Sequence, residues 1–400
     1  MDSTELIPRL TRKGESKIVF LIADGLGGIP GNRTGTELET AATPHLDRLA
    51  RDGVTGLLAP VGPGITCGSG PGHLALFGYD PLETRIGRGV LTALGVNFDL
   101  GTDDIAARGN FCTVDEHGVV RDRRAGRISS ERGAELSRKL RNIEIEGVEL
   151  FVEPVKEHRF LLVLRGAGLD PALSDTDPHE IGMPPQPPRG RDESSRRTAR
   201  LIAAFVEGAR KALANERPAN MVLLRGFDRL PRLPSMGERY GLNACALAGY
   251  PMYQGIARLL GMRVVECGPD LDSEVETLQS AWKEHDFFFV HYKATDSAGE
   301  DGDFDAKVRA IEELDRHLPP ILALKPDVLV VTGDHSTPSQ LKGHSWHPVP
   351  VVLTAASCRR DVVASFGETA CAHGGLGQLP MKYLMSLALA HAGRLSKFGA

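Results

Sequence analysis

Three stretches of this chain are apolar enough to be buried on both faces, and each leads into an acid. Lys17–Ala23 stops at Asp24-Gly25, Asp286–Tyr292 precedes Asp296, and Asp327–Gly333 stops at Asp334-His335. Apolar runs of this length without polar alternation are the mark of strands covered by helices on both sides, the habit of parallel sheets. The intervening segments agree. Thr43 as N-cap, Pro44 at the first helical position and Gly53 as stop predict a helix through Arg51. Val308, Ile311, Leu314, Leu318 and Ile321 form a helical stripe across residues 304–324, and Pro348–Leu353 reads as a further strand. The expected class is α/β, a mainly parallel sheet flanked by helices.

The middle of the chain reads differently. Residues 96–240 hold shorter strand candidates (Ala106–Val114, Glu149–Val155, His158–Leu164, Asn220–Gly226) around helical stretches at 130–141 and 191–215. The Pro-rich run Met183–Arg189 reads as an extended loop. With 400 residues the chain exceeds one ordinary core. We therefore expect a smaller α/β domain, 96–240, inserted into a discontinuous larger one made of 1–95 and 241–400.

Composition narrows the function classes. A formal net charge of -5 creates no global field for nucleic acid or an anionic membrane, and 41% hydrophobic with 25% charged residues describes a soluble globular chain. No apolar run approaches the ~20 residues that span a bilayer, and Met1–Ser16 lacks the apolar core of a secretory leader. The six cysteines are scattered with no C-x-x-C pair, which points to reduced thiols and a cytoplasmic location. Arginine outnumbers lysine by 35 to 12, and 21 of the arginines lie between residues 96 and 240. Most read as solvated surface; a few are expected to line a pocket for an anionic substrate, because guanidinium matches phosphate and carboxylate bidentately.

In open parallel sheets, ligands bind beyond the carboxyl ends of the strands. A single Asp there is as often a turn residue. Asp24, Asp296 and Asp334 together with His335 and His344 offer an oxygen and nitrogen set suited to two divalent cations, with Mn or Mg favoured by carboxylates and Mn or Zn tolerated by imidazole. Paired metals roughly 4 Å apart are the arrangement that stabilises attacking and leaving oxygens in phosphoryl displacement. The candidate nucleophile is Ser69, in the Gly-rich stretch Gly62–His73 that runs into Leu74–Phe77. At the start of that short helix its ordinary use is as an N-cap; the sharper use is a hydroxyl activated by metal coordination.

Ala23–Gly25, Thr43–Ala50, Gly333–His335 and His344 with Pro348–Pro350 resemble the metal-site motifs of the alkaline phosphatase superfamily. Gly68–Pro81, Asp122–Arg127 and Asp175–His179 narrow the likeness to the cofactor-independent phosphoglycerate mutases of the archaeal type, and it runs through nearly the whole chain to Lys397–Ala400. The resemblance implies interconversion of 3-phosphoglycerate and 2-phosphoglycerate through a phosphorylated Ser69. One metal would be held by Asp24, Ser69, Asp334 and His335, and the other by Asp296, His344 and the residue four after Asp296; Mn is expected, with Mg, Co or Zn as alternatives. Arg124, Arg127, Asp175, Asp177, His179 and Arg225 carry over as substrate-binding positions in an inserted domain that clamps the glycerate.

Two departures stand out. The family pattern places His four residues after its Asp, where this chain has Glu300, and Lys where it has Gln254; Lys293 is a candidate to compensate. The same residues also admit a phosphomonoesterase or phosphodiesterase, or a metal-binding relative that has lost catalysis.

Overall fold

The computed structural model describes residues 3–268 and 270–399; Met1, Asp2, Pro269 and Ala400 lie outside the described residues, and the readings of Met1–Ser16 and Lys397–Ala400 fall partly on them. In chain order the strands are β1 (Ile18–Ala23), β2 (Val54–Ala59), β3 (Ile105–Val114), β4 (Val120–Asp122), β5 (Glu149–Pro154), β6 (Arg159–Arg165), β7 (Met221–Asp228), β8 (Ala244–Ala248), β9 (Arg263–Val264), β10 (Phe287–Tyr292), β11 (Val328–Thr332), β12 (Val349–Ala355) and β13 (Gly377–Pro380). They form an eight-stranded sheet in the order β13-β2-β12-β11-β1-β10-β8-β9 and a five-stranded sheet built on β4-β3-β6-β5, with β7 paired to β3.

Every residue of β1 and β10 is buried, as their unbroken apolar runs require. β1 lies between β10 and β11 and is parallel to both, with Ile22 level with His291 and with Thr332. This register brings the ends of the three acid-bearing strands side by side. The sheet is mainly parallel, as expected, with one antiparallel strand inside it: β12 pairs antiparallel with both β11 and β2. The short turn and bridge segment between β11 and β12 contains no crossover helix, so the chain can only double back.

Chain contacts divide the molecule at 85/86 and 232/233, giving one unit of 1–85 with 233–400 and a second of 86–232. The expected boundaries were 95/96 and 240/241. Helix Arg88–Gly95 belongs to the second unit because Gly89 packs against the backbone of Ala106 with no room for a Cβ. Helix Met236–Tyr240 belongs to the first, where the Tyr240 hydroxyl donates to Phe77 O at 3.0 Å. The core of the second unit joins Phe111, Phe160 and Leu162 of its sheet to Ile202 and Phe205 of helix Glu193–Ala212.

Local expectations were corrected in two helices. The stripe across 304–324 is two helices, Phe304–Arg316 and Leu318–Ala323, the second starting at Leu318-Pro319 because proline is tolerated only in a first turn. Thr43 does stand at the N-cap of helix Pro44–Asp52, but its side chain makes no cap bond. The buried Asp315 carboxylate does that work, accepting from His45 N at 3.3 Å and Leu46 N at 2.7 Å.

Two loops at the sheet's carboxyl edge are tied together by one buried cation. Lys307 is fully buried on helix Phe304–Arg316, and its Nζ donates to Gly25 O (2.9 Å), Gly27 O (3.0 Å) and Thr337 O (2.8 Å). Gly25 O and Gly27 O also accept from Thr337 N. Burial lowers the Lys307 pKa, against the pull of Glu37 and Glu368. Lys307→Met leaves the Thr337 carbonyl without its donor and loosens both loops. We expect a loss of about 2–3 kcal/mol in urea denaturation, on the scale of an unsatisfied buried polar group; unchanged stability would show the ammonium to be dispensable.

Candidate metal centre and active site

Helix Ser69–Leu76 begins after Gly68, which is its N-cap and makes no side-chain cap bond. Ser69 is therefore the first helical residue, and the ordinary N-cap use is not the one its hydroxyl has. Its Oγ lies 3.1 Å from His335 Nε2. The helix approaches the Asp334 backbone closely because position 72 is glycine: a Cβ there would stand 2.5 Å from Asp334 O. One turn on, the buried His73 sets Nδ1 2.8 Å from Ser69 O and 3.2 Å from Asp334 Oδ2. Burial alone would lower its pKa, but Asp334 and Asp24 raise it.

Asp24, Asp334 and His335, all fully buried, bring ligand atoms within 4.8 Å of one another. His335 Nε2 is 3.4 Å from Asp24 Oδ1 and 3.2 Å from Asp334 Oδ2. The far sides of the carboxylates are engaged by the protein. Asp24 Oδ2 accepts from the Tyr253 hydroxyl and from Lys293 Nζ at 2.9 Å, with His291 Nε2 at 3.3 Å. Asp334 Oδ1 accepts from Gly25 N at 3.1 Å. Asp24 Oδ1 and Asp334 Oδ2, by contrast, are buried with no hydrogen-bond partner among the described residues.

Burial would raise both carboxyls, yet both stay below the ordinary range. His291, Lys293 and His335 hold Asp24 well down, and His335 and His73 hold Asp334 down against the repulsion of Asp24. Burial lowers the His335 pKa as well, against the pull of Asp334 and Asp24. Two carboxylate oxygens and one imidazole nitrogen thus converge in a fully buried space. Buried charge arranged this way is costly unless a cation accepts all three, and the donor set fits a divalent ion.

A second group, Asp296, His335 and His344, adjoins the first. Its His344 Nε2 lies 3.6 Å from Asp296 Oδ1, and its Nδ1 is 2.8 Å from Cys67 O. A carbonyl only accepts, so Nδ1 carries a proton and Nε2 is the ring atom turned toward Asp296. Lys293 Nζ joins the groups, reaching Asp296 Oδ2 at 2.6 Å as well as Asp24. Glu300 sits on helix Ala294–Asp301, one turn after Asp296, with Oε1 3.8 Å from His344 Nε2 and 56% of its side chain exposed. Gln254 takes no part: its Nε2 donates to Ala248 O at 2.8 Å.

The second unit carries a charge cluster of its own. Asp177 is buried against Arg123, which donates from Nε at 2.9 Å and from its terminal nitrogen at 2.7 Å, and Arg225 stands at 3.8 Å. Asp175 accepts from Gly226 N at 2.8 Å and has His179 Nε2 at 3.4 Å. Both acids thus brace cationic and backbone groups. Arg123 went unnoticed in the sequence because nothing in the motif separates it from Arg124 and Arg127. Those two are exposed on a turn in which Ala125, Gly126 and Arg127 all have left-handed φ (47°, 63°, 53°), held by the Asp122 carboxylate. Burial, and then Arg88, lower the Arg225 pKa. Tyr253, His291 and Thr337, which line the metal groups, also went unread, since no local pattern marks a residue that braces a ligand from behind.

The cation requirement is testable without turnover. Mn at a hundred times its dissociation constant stabilises a one-site protein by about 2.7 kcal/mol. Calorimetry should show a Mn-dependent rise in Tm for the wild type that Asp334→Asn largely removes, while metal-free Asp334→Asn melts no lower than the parent, having lost one of two facing charges. An equal rise in both proteins would refute the assignment.

Known proteins resemble this chain over its whole length. Residues 50–220 match the family model of the 2,3-bisphosphoglycerate-independent phosphoglycerate mutases. A protein of Thermotoga neapolitana called a probable 2,3-bisphosphoglycerate-independent phosphoglycerate mutase is 49% identical, and one of the same description from Thermus thermophilus is also 49% identical; in both cases all of each chain is covered. The solved cofactor-independent phosphoglycerate mutase of Thermoplasma acidophilum superposes with a TM-score of 0.73 at 32% identity, covering 94% of this chain and 100% of that one. A solved Pyrococcus horikoshii protein gives 0.81 at 30%, covering 96% and 100%. A chain so similar to these proteins over its full length belongs to the 2,3-bisphosphoglycerate-independent phosphoglycerate mutase family.

Proposed function

We propose that this chain interconverts 3-phosphoglycerate and 2-phosphoglycerate, an isomerase step of glycolysis and gluconeogenesis, by passing the phosphoryl group through Ser69. The observation that carries the reading is the Ser69 hydroxyl, free of any capping duty and 3.1 Å from His335 Nε2 beside the partnerless oxygens of Asp24 and Asp334. The O3–P bond of the substrate breaks as Oγ–P forms, and the proton lost by Ser69 is balanced by the one gained at O3. The reverse transfer, onto the 2-hydroxyl, regenerates the serine.

In this reading Asp24, Asp334, His335 and Ser69 hold one divalent ion and Asp296, His344 and Glu300 the other, with Mn favoured by the mixture of carboxylate and imidazole. When bound, the ions supply charge neutralisation at phosphoryl oxygens and favour the ionised serine. Lys293 adds a fixed positive charge between the two acid sets, the role its compensation for Gln254 demands. On the second unit, Arg123 and Arg225, braced by Asp177, and the exposed Arg124 and Arg127 are the positions proposed to bind the substrate's carboxylate and phosphate, with Asp175 and His179 beside them. No described helix is long and apolar enough to cross a membrane, and all six cysteines are free thiols, in keeping with a cytoplasmic enzyme.

Incubation with Mn and 3-phosphoglycerate, without bisphosphoglycerate, should yield 2-phosphoglycerate with little free phosphate; stoichiometric phosphate release would make the chain a hydrolase. Ser69→Ala should fold, bind metal, and lose transfer by roughly three orders of magnitude or more, as deletion of a covalent step requires. Phosphate trapped on any other residue would overturn the role of Ser69. For Glu300 the readout is a metal count by native mass spectrometry. Glu300→Ala should retain one ion of two and Glu300→His should restore the second; full occupancy in the alanine variant would make Glu300 a bystander.

A further inference from the structure

The fully buried Thr337 stands between the two ligand groups. Its Oγ1 is 2.6 Å from Asp296 Oδ1 and 3.0 Å from His335 Nδ1. A hydroxyl has one proton to give, and an ionised carboxylate can only accept it. The Thr337 proton therefore goes to Asp296, leaving Oγ1 as the acceptor for His335, so Nδ1 carries the imidazole proton. His335 Nε2 is left bare, and it is the atom that faces Ser69 Oγ at 3.1 Å, Asp334 Oδ2 at 3.2 Å and Asp24 Oδ1 at 3.4 Å.

The position of the hydroxyl is itself fixed from behind. Thr337 N donates to Gly25 O and Gly27 O, and Thr337 O accepts from Lys307. Gly25, at φ +64°, leaves the necessary space: a Cβ there would lie 2.5 Å from Thr337 Oγ1.

We propose that Thr337 is a positioning residue that selects the Nδ1–H tautomer of His335, and so aims the Nε2 lone pair into the space shared by Ser69, Asp24 and Asp334. Without the hydroxyl, the opposite tautomer is favoured, because an Nε2 proton finds three oxygen acceptors and the Nδ1 proton finds none. That tautomer blocks coordination by His335. Through the same hydroxyl, the carboxylate of one ligand group orders the imidazole of the other. The part concerning coordination rests on the two-metal reading above; the tautomer does not.

The experiment uses the full chain labelled with 15N-histidine, without metal, and long-range proton–nitrogen correlation spectra, with the His335 signals identified by their loss in His335→Gln. Wild type and Thr337→Ser should show the Nδ1–H form, and the isosteric Thr337→Val should shift to Nε2–H. Titration calorimetry should then show Mn binding weakened roughly 10- to 100-fold in Thr337→Val, the range typical for loss of a group that orients a ligand. The serine variant should stay near wild type, and kcat should fall in the valine variant with KM for 3-phosphoglycerate unchanged. Persistence of Nδ1–H in Thr337→Val, or a serine variant as impaired as the valine, would overturn the proposal. Failure of the wild type to bind Mn would strike the metal reading alone, since the spectra are taken without metal.

Discussion

Two carboxylate oxygens, Asp24 Oδ1 and Asp334 Oδ2, lie in one buried space and make no hydrogen bond among the described residues. Leaving ionised oxygens unpaired in a dry interior costs far more than a typical native interaction returns, so their survival there demands compensation from every side but one. The opposite edges of the same carboxylates receive it. Asp24 is met by Tyr253, Lys293 and His291, and Asp334 by Gly25 N. Each acid is divided into a half held by protein and a half left open, and the open halves define where a cation belongs.

The sheet makes this possible. Parallel strands end together, so β1, β10 and β11 deliver their trailing residues to one edge, and the fully buried strands beneath give those residues a rigid base. The loops that follow have few regular hydrogen bonds of their own. Lys307 and Thr337 replace them, one with an ammonium on three carbonyls and the other with a hydroxyl bridging a carboxylate and an imidazole. Positive charge is thus placed under the acids but kept out of the space they enclose. The second unit repeats the device in another form, where Asp177 holds Arg123 and stands beside Arg225 so that their guanidinium groups keep fixed positions.

Much of this was legible in the residues. Unbroken apolar runs announced the central strands, and an acid at the end of each announced the edge where chemistry would gather. The Gly-rich stretch before His73 marked Ser69, and the ordered motifs marked the family. What escaped notice was of one kind. Tyr253, His291, Arg123 and Thr337 are ordinary residues by type and spacing, and their roles come from partners that the fold brings close. Tyr253, for one, meets Asp24 across 229 positions of chain. Asp315 took over the cap expected of Thr43 for the same reason: a distant carboxylate was nearer the free amides than the local hydroxyl was.

Sequence alone determined the layered α/β class, the acids and imidazoles available for metal, the serine proposed as nucleophile, and the family, because apolar periodicity, residue chemistry and motifs are local properties. Only the tertiary structure decided the antiparallel turn of β12 and the helical setting of Glu300. It alone also decided which oxygen of each carboxylate is left open, and which nitrogen of His335 bears the proton. Those are matters of distance and direction between segments far apart in the chain, and hydrogen bonding, which depends steeply on both, settles them only once the strands have brought the segments together.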